Sequence, residues 1–176
     1  AVGAATIGDP FRADVTFGPV VSAGALERIR SVIDDAVRVR AGVLLTGGQR
    51  IGGELESGYY LEPTVFGDVD NSTNLAQTET FGPVVSLIRF RDDDEAVRIA
   101  NDTQYGLNAF VLTRDLRRAH TVARSLEAGS IWINTFSDIS PQGPYGGYKQ
   151  SGFGRTGGAE GLQEFLQVKN IRIAMS

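Results

Sequence analysis

An α/β fold, with a largely parallel sheet flanked by helices, is predicted for this 176-residue chain by two patterns. Short runs rich in β-branched and aromatic residues alternate with longer segments of helical apolar spacing, which favours strand–helix–strand units. Glycine, proline and Asx-rich clusters punctuate nearly every change between the two. No internal repeat and no composition shift divides the chain, so it reads as one domain, a body over 1–166 closed by a terminal strand over 167–176.

The elements follow in order. Residues 22–42 carry Leu26, Ile29, Ile33 and Val37 at helical spacing, with Ser22 as the cap and Gly42 as the terminator. Val43–Thr46 is a short strand stopped by Gly47-Gly48. Tyr59–Phe66 is a second extended stretch in which Pro63 suggests an edge or an interruption. Asp70–Asn74 is a polar loop, and Val84–Phe90 a strand. Asp92 with Glu95 forms an Asp version of a capping box opening a helix to about Asn101. Asn108–Leu112 is a strand. Leu116, Ala119, Ala123 and Leu126 stripe the next helix, closed by Gly129. Ser130–Asn134 is a strand, a glycine-rich loop runs to Gly158, a short helix covers 159–166, and Val168–Ala174 is the last strand.

Composition excludes several classes. With 17 basic against 21 acidic residues the chain is mildly acidic, which gives no footprint for nucleic acid or an anionic membrane surface. No apolar run approaches the roughly 18 residues of a membrane span. Ala1 to Pro10 lacks the basic and apolar regions of a signal peptide, which points to the cytoplasm. The chain has no cysteine, hence no disulfide, no thiolate nucleophile and no zinc–thiolate site. No metal-ligand cluster emerges. The start at Ala1 without a methionine suits a piece of a longer protein.

Three patterns invite functional readings. Gly152-Phe153-Gly154-Arg155-Thr156-Gly157 spells G-x-G-x-x-G, but no strand precedes it and no βαβ unit follows, so the dinucleotide fingerprint fails on context. The wider segment Gly143–Arg155 interleaves three aromatics and two cations with its glycines, beyond what a spacer needs. It follows a strand ending at Asn134, where α/β proteins bind ligands, and reads as a site-forming loop. His120, the sole histidine, sits beside the apolar stripe of its helix with no partner implied by spacing, a packing or surface residue rather than a base. Asn71-Ser72-Thr73 and Asn101-Asp102-Thr103 match glycosylation sequons by chance.

A set of motifs, in order along nearly the whole length, carries a resemblance. These are Gly8-Asp9-Pro10, Phe17-Gly18-Pro19-Val20-Val21-Ser22, Gly58-Tyr59-Tyr60-Leu61-Glu62-Pro63-Thr64-Val65 and Glu79-Thr80-Phe81-Gly82-Pro83-Val84. They continue with Asn101-Asp102-Thr103-Gln104-Tyr105-Gly106-Leu107, Gly129–Asn134 and Pro144-Tyr145-Gly146-Gly147-Tyr148-Lys149-Gln150-Ser151-Gly152. Together they resemble the C-terminal part of the catalytic domain in the aldehyde dehydrogenase superfamily.

The resemblance implies NAD or NADP as cofactor and an aldehyde as substrate, oxidised to a carboxylic acid through an enzyme thioester. It implies that Glu79 accepts hydrogen bonds from the nicotinamide ribose and that Phe81 packs against it. Phe136, Ile139 and Tyr145 are implied as substrate-tunnel residues. The family's cysteine nucleophile, its glutamate base and its coenzyme domain belong upstream, so this chain holds no catalytic residue and is expected to be inactive alone. Where many members carry a relay acid after Gly154-Arg155, this chain has Thr156, which cannot ionise. The last strand, 167–176, is implied to pair with another subunit in a homodimer or homotetramer. Two alternatives stay open: a non-enzymatic chain keeping the fold for assembly or ligand binding, and a branch that passes its thioester to coenzyme A or phosphate.

Overall fold

The computed structural model describes residues 2–175. Contacts gather the chain into two compact units, Ala1–Phe90 and Arg91–Ser176, each built on its own strands. The α/β class is as expected. Among the described residues two ladders are parallel and two antiparallel, a more even mixture than the alternation of elements suggests.

In the first unit, helix α1 spans Ala23–Arg38. Its Ser22 hydroxyl accepts from the Ala25 N–H at 3.2 Å, satisfying one of the free donors of the first turn. The helix stops before Gly42. Arg40 adopts φ +57°, its N–H donates to the Val37 carbonyl at 3.2 Å, and the Ala41 N–H reaches back to Ala36 at 2.9 Å. That pair of bonds is a Schellman closure, with an arginine where glycine is usual.

Strand β1 (Val43–Thr46) pairs antiparallel with β2 (Thr64–Gly67), which pairs in parallel with β3 (Val84–Ser86). The expected strand to Phe90 is shorter, although its backbone bonding continues through Leu87 to Phe66 and Val69. A one-turn helix α2, Asn74–Gln77, precedes β3; four residues are too few for any period to register in the sequence. Leu26, Ile29, Ile33 and Ala36 of α1 join Leu61, Phe66, Val69 and Leu75 in one buried cluster. Ile29 and Phe66 are wholly inaccessible, each side chain stabilising the unit by about 1.5–3 kcal/mol of apolar transfer.

In the second unit, α3 (Asp93–Asn101) is capped by Asp92, whose carboxylate accepts from the Glu95 N–H at 2.9 Å. The reciprocal half of the box is shifted by one residue, because Glu95 accepts the N–H of Arg91 at 2.8 Å. The Arg91 guanidinium, bonded to the same carboxylate, holds Glu95 below the ordinary carboxylate range. Strands β4 (Tyr105–Gly106) and β5 (Asn108–Val111) come next, then α4 (Leu116–Ser125), whose Asp115 cap accepts from the Arg118 N–H. Arg118 also grips both oxygens of Asp93 through Nε, at 2.9 and 2.8 Å, tying α4 to α3. The α4 stripe is only partly covered: Ala119 is buried and Leu116 exposed.

Strand β6 (Ser130–Ile133) lies parallel to β5, with Asn108 opposite Ser130 and Phe110 opposite Trp132. Strand β7 (Tyr148–Lys149) pairs antiparallel with β4, and α5 spans Gly158–Gln163. Residues 166–175, expected as a strand from 168, form no ladder within the chain. A strand needs a partner edge to be hydrogen-bonded, and Val168, Ile171 and Ile173 are 100%, 74% and 80% exposed. No helix among the described residues is long and apolar enough to cross a membrane.

Candidate functional site

Glu79 and Phe81 lie in the turn between α2 and β3, on the rim of a cleft of about 330 Å³ lined by Leu75, Thr78, Thr80, Gly82 and Val84 as well. The turn is anchored on both sides. Leu75 is buried before it, the Thr64 N–H donates to the Pro83 carbonyl at 2.8 Å after it, and Arg28 reaches the Thr80 carbonyl from α1. At Gly82 a Cβ would meet the Ile29 side chain at 2.5 Å, so any other residue would force that buried side chain or the turn to shift. Phe81 has φ +50°, a conformation that costs a residue with a Cβ about 1–2 kcal/mol. Its ring is 75% exposed. Strained residues cluster at ligand clamps and active sites, and Phe81 combines that strain with an exposed ring.

Glu79 is exposed and has no hydrogen bond or ion pair among the described residues. A carboxylate free of protein partners beside an exposed ring fits a ligand that offers vicinal hydroxyls and a C–H ring face, as a ribose does.

The glycine-rich segment of the second unit is a folded element, not a free connection. Tyr145 and Thr156 exchange both backbone hydrogen bonds at 2.8 Å. Gly129 approaches the loop so closely that a Cβ there would lie 1.7 Å from the Gly146 carbonyl oxygen. The two cations that mark the segment in sequence are both engaged by the protein's own groups. Lys149 Nζ donates to the Asn101 and Thr103 carbonyls at 2.5 and 3.1 Å and pairs with Glu127 at 2.7 Å. Arg155 Nη1 donates to the carbonyls of Gly147 and Gly154, at 3.0 and 2.6 Å, and its guanidinium lies over the Tyr148 ring. They shape the loop rather than offering charge to a ligand.

Tyr145 and Ile139 line one small cleft, about 130 Å³, with Ser130, Trp132 and Pro144. Phe136 lies outside that lining, in a run of stacked rings: its centroid is 4.8 Å from Phe110, which is 5.1 Å from Trp132. Asn134 and Ser137, which bracket Phe136, both have φ +55°. His120 is on the exposed face of α4. No group of three or more His, Cys, Asp or Glu among the described residues could hold a metal ion. Sequence reasoning missed Asn108, whose amide donates to the Tyr145 hydroxyl at 3.2 Å. The available signal was an asparagine opening a strand, where that residue is disfavoured.

A model of the aldehyde dehydrogenase family matches residues 1–171. An aldehyde dehydrogenase of Enchytraeus buchholzi is 44% identical over 168 residues, covering 96% of this chain and 33% of the relative. A point variant of the betaine aldehyde dehydrogenase of Staphylococcus aureus, solved with NAD+, superposes with a TM-score of 0.91 at 41% identity, covering 96% of this chain and 34% of that one. An aldehyde dehydrogenase of Mycobacterium tuberculosis, also complexed with NAD+, gives 0.88 at 36% identity over 94% of this chain and 34% of its own. The chain thus spans about a third of the length of these relatives. From motif order, fold and these matches together, the chain belongs to the aldehyde dehydrogenase family.

Proposed function

We propose that this chain is the C-terminal portion of the catalytic domain of an NAD- or NADP-dependent aldehyde dehydrogenase. The whole protein oxidises an aldehyde to a carboxylic acid through an enzyme thioester and works in the cytoplasm. The reading is carried by the Glu79–Phe81 cleft, a free carboxylate and a strained, exposed ring on a turn anchored to a core. It is supported by two relatives solved with NAD+. When bound, the nicotinamide coenzyme accepts the hydride that leaves the substrate carbon. Glu79 accepts hydrogen bonds from the two ribose hydroxyls, and Phe81 limits the ring's movement. Tyr145, Ile139 and Phe136 wall the path of the aldehyde. The wide apolar exposure of the second unit, with Leu112, Phe153 and Phe165 each over 80% exposed, supports a surface that further protein covers in the parent.

In the full-length parent, Glu79→Gln is expected to weaken coenzyme binding and slow hydride transfer, while aldehyde binding changes less. Loss of a charge-assisted bond is worth about 1.5–3 kcal/mol, tenfold or more in affinity. Coenzyme titration and single-turnover rates decide it; if neither moves, Glu79 does not hold the ribose.

The same reading makes the parent a homodimer or homotetramer in which 168–174 adds to a second subunit's sheet. Exposed β-branched side chains with unpaired backbone are suited to such pairing. Deleting residues 168–176 is expected to shift the parent toward monomer in sedimentation velocity. A parent that is monomeric at assay concentration, or assembly untouched by the deletion, refutes this role.

A further inference from the structure

We infer that Asn108 is a positioning residue that fixes the Tyr145 phenol as a hydrogen-bond donor to an oxygen acceptor on the substrate's remote end. The inference rests on the aldehyde dehydrogenase reading and adds to it a substrate class, aldehydes bearing a hydroxyl, ether or carbonyl oxygen away from the reacting carbon. Tyr145 is fixed at two levels. Its backbone is clamped by the two 2.8 Å bonds to Thr156, and its hydroxyl accepts from Asn108 Nδ2 at 3.2 Å. Asn108 is itself placed by its register opposite Ser130 in the β5–β6 ladder, and Ser130 lines the same small cleft as Tyr145.

A phenol has one proton and two lone pairs. With one lone pair occupied by the Asn108 amide, the proton is directed elsewhere and is free for a ligand oxygen. A hydrogen bond accepted by the phenol also polarises its O–H, which strengthens the bond it donates. Asparagine is a poor strand residue, and this contact accounts for its presence on β5.

The test uses the full-length parent and two aldehydes of equal length, one alkyl and one carrying a remote oxygen. The readout is the ratio of their kcat/KM values, which cancels any general loss of activity. Tyr145→Phe is expected to lower the ratio five- to tenfold, through KM rather than kcat. Asn108→Asp should lower it similarly, because a carboxylate accepts the phenolic proton instead of donating. Asn108→Ser, which retains a donor, should keep more of the ratio, and the Asn108→Asp/Tyr145→Phe double variant should lose no more than either single change. If Asn108→Asp does not fold, Asn108→Ala reads the same loss. Strictly additive losses, or a ratio unchanged by Tyr145→Phe or by the Asn108 variants, overturn the inference and leave the family reading intact. A parent with no aldehyde-dependent coenzyme reduction overturns both.

Discussion

The 176-residue chain, purified as it stands, is expected to produce no NADH from NAD+ and an aldehyde. The thioester route needs a thiolate to attack the carbonyl, and the chain contains no cysteine. Among the described residues no other is poised to replace it. His120 is exposed, with no partner among the described residues, and no serine in the two clefts has a histidine beside it. Under the proposed reading the Glu79 cleft holds a ribose, but holding a coenzyme without a covalent adduct gives no hydride to transfer. Absorbance at 340 nm decides the matter, compared with the full-length parent at equal molarity. Steady turnover in material free of that parent would show that another group performs the attack.

A second large effect is expected from Phe66→Ala. Phe66 is on the central strand of its sheet, fully inaccessible, and shares its cluster with α1. Removing its ring costs the transfer energy of the lost carbons and leaves a cavity that neighbouring elements fill only in part, together about 3–5 kcal/mol. Typical domains are stable by about 5–15 kcal/mol, so the change consumes much of the margin. Chemical denaturation of the parent should show a sharp fall in midpoint for Phe66→Ala and a much smaller one for Phe66→Leu. Equal midpoints for all three proteins would mean that this cluster does not limit stability.

Legibility followed the length of the physical signal. Ser22 and Asp92 were readable as caps because a short polar side chain ahead of an apolar period has one economical use, and both accept the expected N–H. The strands at 43–46 and 130–133 were readable from their composition. The two-residue β4 and β7 and the one-turn α2 were not, since no period fits in so few residues. The end of α1 was misplaced because a left-handed arginine has no sequence signature beside an available glycine. Glu79 and Phe81 stand out in the sequence only as an isolated acid and an aromatic before Gly-Pro, and the roles proposed for them rest on resemblance. Lys149 and Arg155 mark the segment in sequence as more than a spacer because charge is visible there, whereas the carbonyls they bond are not.

The contact between Gly82 and Ile29 ties two properties that selection would otherwise tune separately. The Ile29 side chain already stands within 2.5 Å of where a Cβ at 82 would lie, so a larger residue at 29 and any side chain at 82 compete for the same space beside the turn that carries Glu79 and Phe81. Variation at the two positions is therefore correlated by geometry. A directed-evolution campaign for thermal tolerance that enlarges residue 29 would select, unasked, for a displaced turn at Glu79 and Phe81, and the two traits would be inherited together.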